Sequence, residues 1–151
     1  MGGLRLHHGA RILVCDGRKA LFLVNEGYPG SERLTVEHKM SQDLPAHTSE
    51  MGTDRPGLVQ QVRAGNPGSS LEPTDGHRLQ EDAFVTKVVE AFARHAGESN
   101  AVEVVLVAPP KALAVIRRDA NPALLGKAVA QIAADLTHMP VAEICDALTR
   151  G

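Results

Sequence analysis

The 151-residue chain has no tryptophan, a single tyrosine and three phenylalanines. Its core must therefore come from Val, Leu, Ile and Ala, and aromatic platforms for stacking unpaired bases are not to be expected. It has two cysteines, Cys15 and Cys145, in no CxxC pair. They read as buried, reduced, intracellular thiols rather than a disulfide framework. Positive charge is not in excess: 16 Lys and Arg against 18 Asp and Glu give a net charge of -2, with an isoelectric point near 6.4. That balance argues against a protein held on nucleic acid chiefly by phosphate neutralisation, although it leaves room for a local basic patch. No apolar run approaches the roughly 20 residues of a membrane span, and the opening MGGLRLHHGA lacks a signal-peptide core. A cytoplasmic protein without membrane insertion is the expectation. No G-x-S-x-G, Walker-type or Rossmann-type glycine pattern occurs, so no cofactor is expected.

What is present begins with two short apolar runs, Ala10 to Cys15 and Ala20 to Asn25, joined through Asp16-Gly17. Asp-Gly between β-prone runs is a strong hairpin signal, because a two-residue turn of this kind needs positive φ at both central residues. RLTVEHKM then alternates in period two as a third, half-exposed strand. Residues 41 to 76 hold nine Gly or Pro in 36 positions, and read as a long loop. LQEDAFVTKVVEAFARHAG places Phe84, Val85, Val88, Val89, Phe92 and Ala96 on one helical face, with Gly97 as a stop. AVEVVLVA, residues 101 to 108, reads as a strand buried on both faces, and Pro109-Pro110 suits the first turn of a following helix. Leu125, Val129, Ile132, Ala133 and Leu136 recur at helical spacing, and a last helix starts at Pro140. The predicted order is an antiparallel β-meander followed by α-β-α-α-α in one α/β domain over 1–151, a ribonuclease-H-like three-layer sandwich.

Few residues point to chemistry. Arg18 and Lys19 stand beside the hairpin turn, where they are either solvated or present charge to a phosphate or carboxylate. Asp16 is explained by the turn itself; read as a metal-dependent nuclease's carboxylate, it would need convergent partners such as Asp54 or Asp135. His7 and His8 are adjacent, so in extended chain they point apart, and no zinc or other metal site is expected. Thr137 and His138 fall between two predicted helices, where capping a helix end is the first reading and facing a ligand the second. In Gly52-Thr53-Asp54-Arg55-Pro56-Gly57 the proline restrains Arg55 toward extended backbone, and the glycines permit sharp bends on either side. The segment reads as a shaped loop presenting Thr53, Asp54 and Arg55. Arg55 would either grip a phosphate or carboxylate or tie the loop to the domain.

Taken together, ILVCDGRKALFL, GTDRPG, VLVAPPKAL and DLTHMPVAEI, in this order and spacing, resemble the host attachment protein family, also described as proteins required for attachment to host cells. That family is grouped with bacterial and archaeal relatives of the middle domain of the eukaryotic class-one release factor. The resemblance extends over nearly the whole chain. It implies a ribonuclease-H-like fold and two directions for function, contact with the ribosome or tRNA on one side and attachment through protein partners on the other. The release-factor middle domain works through a Gly-Gly-Gln loop; here Gly2-Gly3 is the sole Gly-Gly and Leu4 follows it. That catalytic route does not carry over. The expectation is thus a cytoplasmic, non-catalytic binding module acting on the translation machinery. The alternatives are an attachment factor working through protein partners, and a metal-dependent hydrolase or nuclease using Asp16, Asp54, Asp135 or His138.

Overall fold

The computed structural model describes residues 3–42 and 71–150, with backbone alone for 71–75 and 77. The elements run β1 (Arg11–Cys15), β2 (Lys19–Asn25), β3 (Leu34–Ser41), α1 (Leu71–Glu98), β4 (Val104–Ala108), α2 (Pro110–Asp119), α3 (Pro122–Lys127), β5 (Ala128–Ala133) and α4 (Val141–Thr149). They build a five-stranded sheet ordered β3-β2-β1-β4-β5. β1, β2 and β3 pair antiparallel as the predicted meander, whereas β4 runs parallel to both β1 and β5.

Alternation along β1 and β4 sends successive side chains to opposite faces, and both faces are covered. Leu13, Phe22 and Leu106 point to one side, where Phe84, Val88 and Phe92 of α1 and Leu113 and Ile116 of α2 meet them. Ile12, Leu23, Val105 and Val107 point to the other and pack on Ile144 and Leu148 of α4, with Leu6 from the leading segment. Phe22 and Phe92 meet edge to face at 5.2 Å, a favoured aromatic geometry, and burial of each ring contributes about 1.5–3 kcal/mol. All five residues of β4 are buried, as its continuous apolar run predicts.

The structure departs from the sequence-based reading in four places. The predicted helix through Leu125 to Leu136 is a six-residue helix followed by a strand. Small apolar residues fit either form, and the helix propensity of Ala128, Ala130 and Ala133 is outweighed by parallel pairing of β5 with Val104–Ala108. The order after the meander is therefore α-β-α-α-β-α. Second, α1 begins at Leu71, so the stretch from 71 to 76 is helical; Pro73 lies in the first turn, where its missing N–H needs no intrahelical partner. Third, the chain leaves α1 beyond Gly97, with Asn100 at φ 56°. The amides of Asn100 and Ala101 close back on the carbonyls of Gly97 and Ala96, so the left-handed residue at this exit is an asparagine, the commonest substitute for glycine. Fourth, Gly17 has no positive φ. The β1–β2 connection spans Asp16, Gly17 and Arg18, and the Asp16 carboxylate closes it in place of an Asp-Gly primed turn.

Candidate functional site

Because β1, β4 and β5 are parallel, their carboxyl ends lie at one edge of the sheet, the position at which open α/β sheets usually receive ligands. Asp16 follows β1, Pro109-Pro110 follow β4, and Asp135, Thr137 and His138 follow β5. Residues 121 positions apart in sequence meet there.

Asp16 organises this edge. Its Oδ1 accepts the backbone amides of Arg18 and Lys19, each at 2.8 Å, an Asx-type turn that fixes the hairpin tip. Its Oδ2 lies 3.0 Å from the Thr137 hydroxyl. The same hydroxyl lies 3.1 Å from Asp135 Oδ1. A threonine hydroxyl has one proton to donate, so two carboxylates converge on a donor able to serve one of them at a time. His138 is exposed, with Nε2 at 3.8 Å from Asp16 Oδ2. One ligand atom from each of Asp16, Asp135 and His138 lies within 4.8 Å of the others. The predicted capping role of Thr137 and His138 does not hold, since α4 has Pro140 at its N-cap position and no side-chain cap, and the Thr137 hydroxyl faces carboxylates.

On the other side of Asp16 a groove of about 670 Å³ opens between the hairpin tip, α1 and α2. Arg18, Arg78 and Lys111 supply cationic groups to its wall, and Asp16, Glu81 and Asp82 supply acids. Two of the acids are engaged by neighbours: Asp16 by the hairpin amides and Thr137, and Glu81 by Arg18, 3.7 Å away. α2 enters the groove wall through Pro109 to Ala112, with no side-chain cap and no acid in its first turn. A ten-residue helix presents partial positive charge at that end. Gly17 permits the close approach of α1, since a Cβ there would stand 2.7 Å from Glu81 Cβ. Gln42 ties the tip to α1, donating from Nε2 to the Gly17 and Gln80 carbonyls.

Of the sequence-based candidates, the structure brings together Asp16, Asp135, Thr137 and His138, while Arg18 gives its backbone amide to Asp16 and turns its side chain to Glu81 in the groove. Lys19 opens β2 and contributes its backbone amide to the turn. Thr53, Asp54 and Arg55 lie outside the described residues. His7 and His8 do point apart: His7 pairs with Glu103, while His8 stacks on Tyr28. Arg78, Glu81, Asp82 and Lys111 were not legible as site residues. They belong to no motif, and their only signal was charge, Arg78, Glu81 and Asp82 lying well inside α1 and Lys111 in the first turn of α2.

The neighbouring Cys15 thiol is driven up to about 12 by burial and then by the Asp16 charge. It is therefore uncharged at neutral pH and no nucleophile. Cys145, on α4, is raised as well, chiefly by burial.

The family model described as "Protein required for attachment to host cells" matches residues 11–148, and the chain belongs to that family. No curated protein matches it. Among solved structures, the Aquifex aeolicus Ppx/GppA phosphatase, type II variant, is similar at 10% identity and a TM-score of 0.40. That similarity covers 82% of this chain and 34% of the phosphatase chain, so the protein spans about a third of its length. Among the described residues no helix is long and apolar enough to cross a membrane.

Proposed function

We propose that this member of the family is a cytoplasmic, non-catalytic binding module whose working surface is the groove beside Asp16, and that its ligand is a phosphate-bearing segment of RNA in the translation machinery, ribosomal or transfer. The observation that supports this reading is the groove itself, where Arg78, Lys111 and the uncapped start of α2 face one space. Cations and first-turn amides are the donors a phosphate requires. Nearby acids keep the surface from being a general polyanion trap, in keeping with the net charge of -2. The release-factor relationship and the ribonuclease-H-like three-layer form belong to the same proposal. An antiparallel meander continued by parallel strands, with helices on both faces, supports the layered form. Co-sedimentation of the full chain with ribosomes, and gel retardation with tRNA, test it across salt. Arg78→Glu and Lys111→Glu should each weaken retention by about tenfold, the scale of a lost charge-assisted contact. Absence of retention at low salt in growing, starved and stalled cells would sink the reading.

A second reading, a metal-dependent hydrolase, is favoured by the convergence of Asp16, Asp135 and His138. Two carboxylates and an imidazole suit a divalent cation that keeps several water ligands, and the proton-sharing Thr137 leaves one carboxylate oxygen in want of a positive partner. Such an ion would supply Lewis-acid activation of a phosphoryl oxygen, with Lys111 and the α2 amides placed to orient the phosphate. Titration with Mn²⁺, followed by paramagnetic resonance, separates the two readings. Micromolar uptake lost in Asp135→Asn would favour this one, and absence of uptake would remove it. The family's own description favours a third reading, attachment through protein partners, tested by host-cell adhesion of a deletion strain.

A further inference from the structure

Among the described residues the sheet has two edges, and they are built differently. β3, at one edge, places Glu37, His38 and Lys39 in succession. Glu37 is held by Arg11 at 2.9 Å and by His95 at 2.6 Å. Charges of this kind are the usual means by which an edge strand is kept from pairing with another chain. β5, at the opposite edge, reads Ala-Val-Ala-Gln-Ile-Ala. It contains no charge and no proline, and none of its six residues is buried although five are apolar. Val129 is 54% exposed. The irregularity in its pairing with β4 is confined to its start, and Ala130 to Ala133 pair regularly with Val105 to Ala108.

We propose that β5 is a self-association surface, on which a second copy of this chain pairs its own β5 antiparallel across a two-fold axis to make one continuous sheet. The ends of the strand favour this occupant. Lys127 stands immediately before β5 and Asp135 two residues after it. Antiparallel pairing of identical strands sets the Lys127 end of each beside the Asp135 end of the other, so both pairs of end charges are matched at once. A two-fold contact requires such self-complementarity, and a parallel neighbour would instead set like charges together. Main-chain hydrogen bonds supply the attraction, and alternate side chains such as Val129 and Ala133 meet across the seam.

Sedimentation velocity of the full chain, from micromolar to near-millimolar protein, tests the proposal. A concentration-dependent dimer is expected. Ala133→Lys, which changes an exposed position, should weaken it by at least about tenfold while leaving the thermal midpoint of the monomer nearly unchanged. Lys127→Glu should weaken it by a smaller factor, and combining it with Asp135→Lys should restore it. A monomer throughout the range overturns the proposal, as does a dimer indifferent to all three changes. Strong hydrogen-exchange protection, in a monomer, of the alternate β5 amides that point away from β4 overturns it as well, by assigning the edge to the chain's own residues.

Discussion

Two polar residues are buried among those described, Asn25 and Thr137, and they stand at opposite ends of the sheet. Asn25 is fully matched. Its amide donates to the carbonyls of Leu6 and His7, and its carbonyl accepts the amides of Gly27 and Arg33, all within 2.9–3.1 Å. Every partner is backbone. Thr137 is undermatched in the opposite sense, with one proton facing two carboxylates. The first arrangement locks the leading segment and the loop after β2 onto the sheet, and leaves no valence for a ligand. The second has acceptor capacity to spare at an edge that opens to a groove. Buried polarity alone does not mark a site; unequal supply of donors and acceptors does.

The largest expected effect tests the closed end. Asn25→Leu removes four hydrogen bonds and leaves the Leu6 carbonyl and the Gly27 and Arg33 amides without a partner, the His7 carbonyl keeping the Ala10 amide, at a cost of at least about 3 kcal/mol from about 1 kcal/mol or more apiece. Urea denaturation should show a midpoint lowered accordingly, or a chain that does not fold. Thr137→Val, of similar shape, should cost only about 1 kcal/mol, because Asp16 and Asp135 keep access to water. Equal costs at the two ends would break the comparison.

A comparable effect, read as a rate, tests whether the site end stays closed around its hairpin. With Cys15 near 12 against an ordinary value of 9.0, its thiolate fraction at pH 8 falls by about a thousandfold. Cys15 also has no exposed surface, so labelling at this thiol in native protein should be slower than in urea-unfolded protein by at least about this factor. Rapid labelling would mean that β1 opens beside Asp16, and would make the carboxylate cluster a mobile rather than a fixed arrangement.

The strands and the place of the hairpin were largely legible in the sequence, the matching of Asn25 was not, and the site was legible only in pieces. Apolar patterning marked β1, β2, β4 and the buried face of α1, because burial on two faces leaves a signature in single residues. Asp16 was recognised as a turn former, and it is one. Its second role depends on Thr137, a contact made only because β5 returns parallel to β4. Reading that stretch as helix removed the element that delivers Asp135 and Thr137 to the edge. Period alone cannot separate helix from strand where five of six residues are Ala, Val or Ile. The groove residues Arg78 and Lys111 gave no signal beyond their charge, since what unites them is the packing of α1 against α2.

The smallest effect sharpens what a threonine and a carboxylate amount to away from such an edge. Thr86 donates to Asp119 Oδ2 at 2.6 Å, and Arg118 donates to both Asp119 oxygens at 2.8 and 3.0 Å. Here one carboxylate meets three donor groups, where at Thr137 two carboxylates meet one, although the Thr86 hydroxyl also has a second acceptor in the Asp82 carbonyl at 3.1 Å. The Arg118 hydrogen bonds first, and Thr86 second, hold the Asp119 carboxyl down to about 2 against an ordinary 3.8. A lowered folded-state value means that the stabilisation is present above pH 3.8 and is lost as pH falls through 2. The group is close to solvent, so screening reduces that contribution to below about 1 kcal/mol. Asp119→Asn should therefore lower stability only slightly at neutral pH and flatten its decline in the acid range, measured as urea midpoints between pH 5 and 2. A large loss at pH 7 would show that the α1–α2 contact depends on this surface pair, and would move part of the molecule's polar specification away from the two sheet ends.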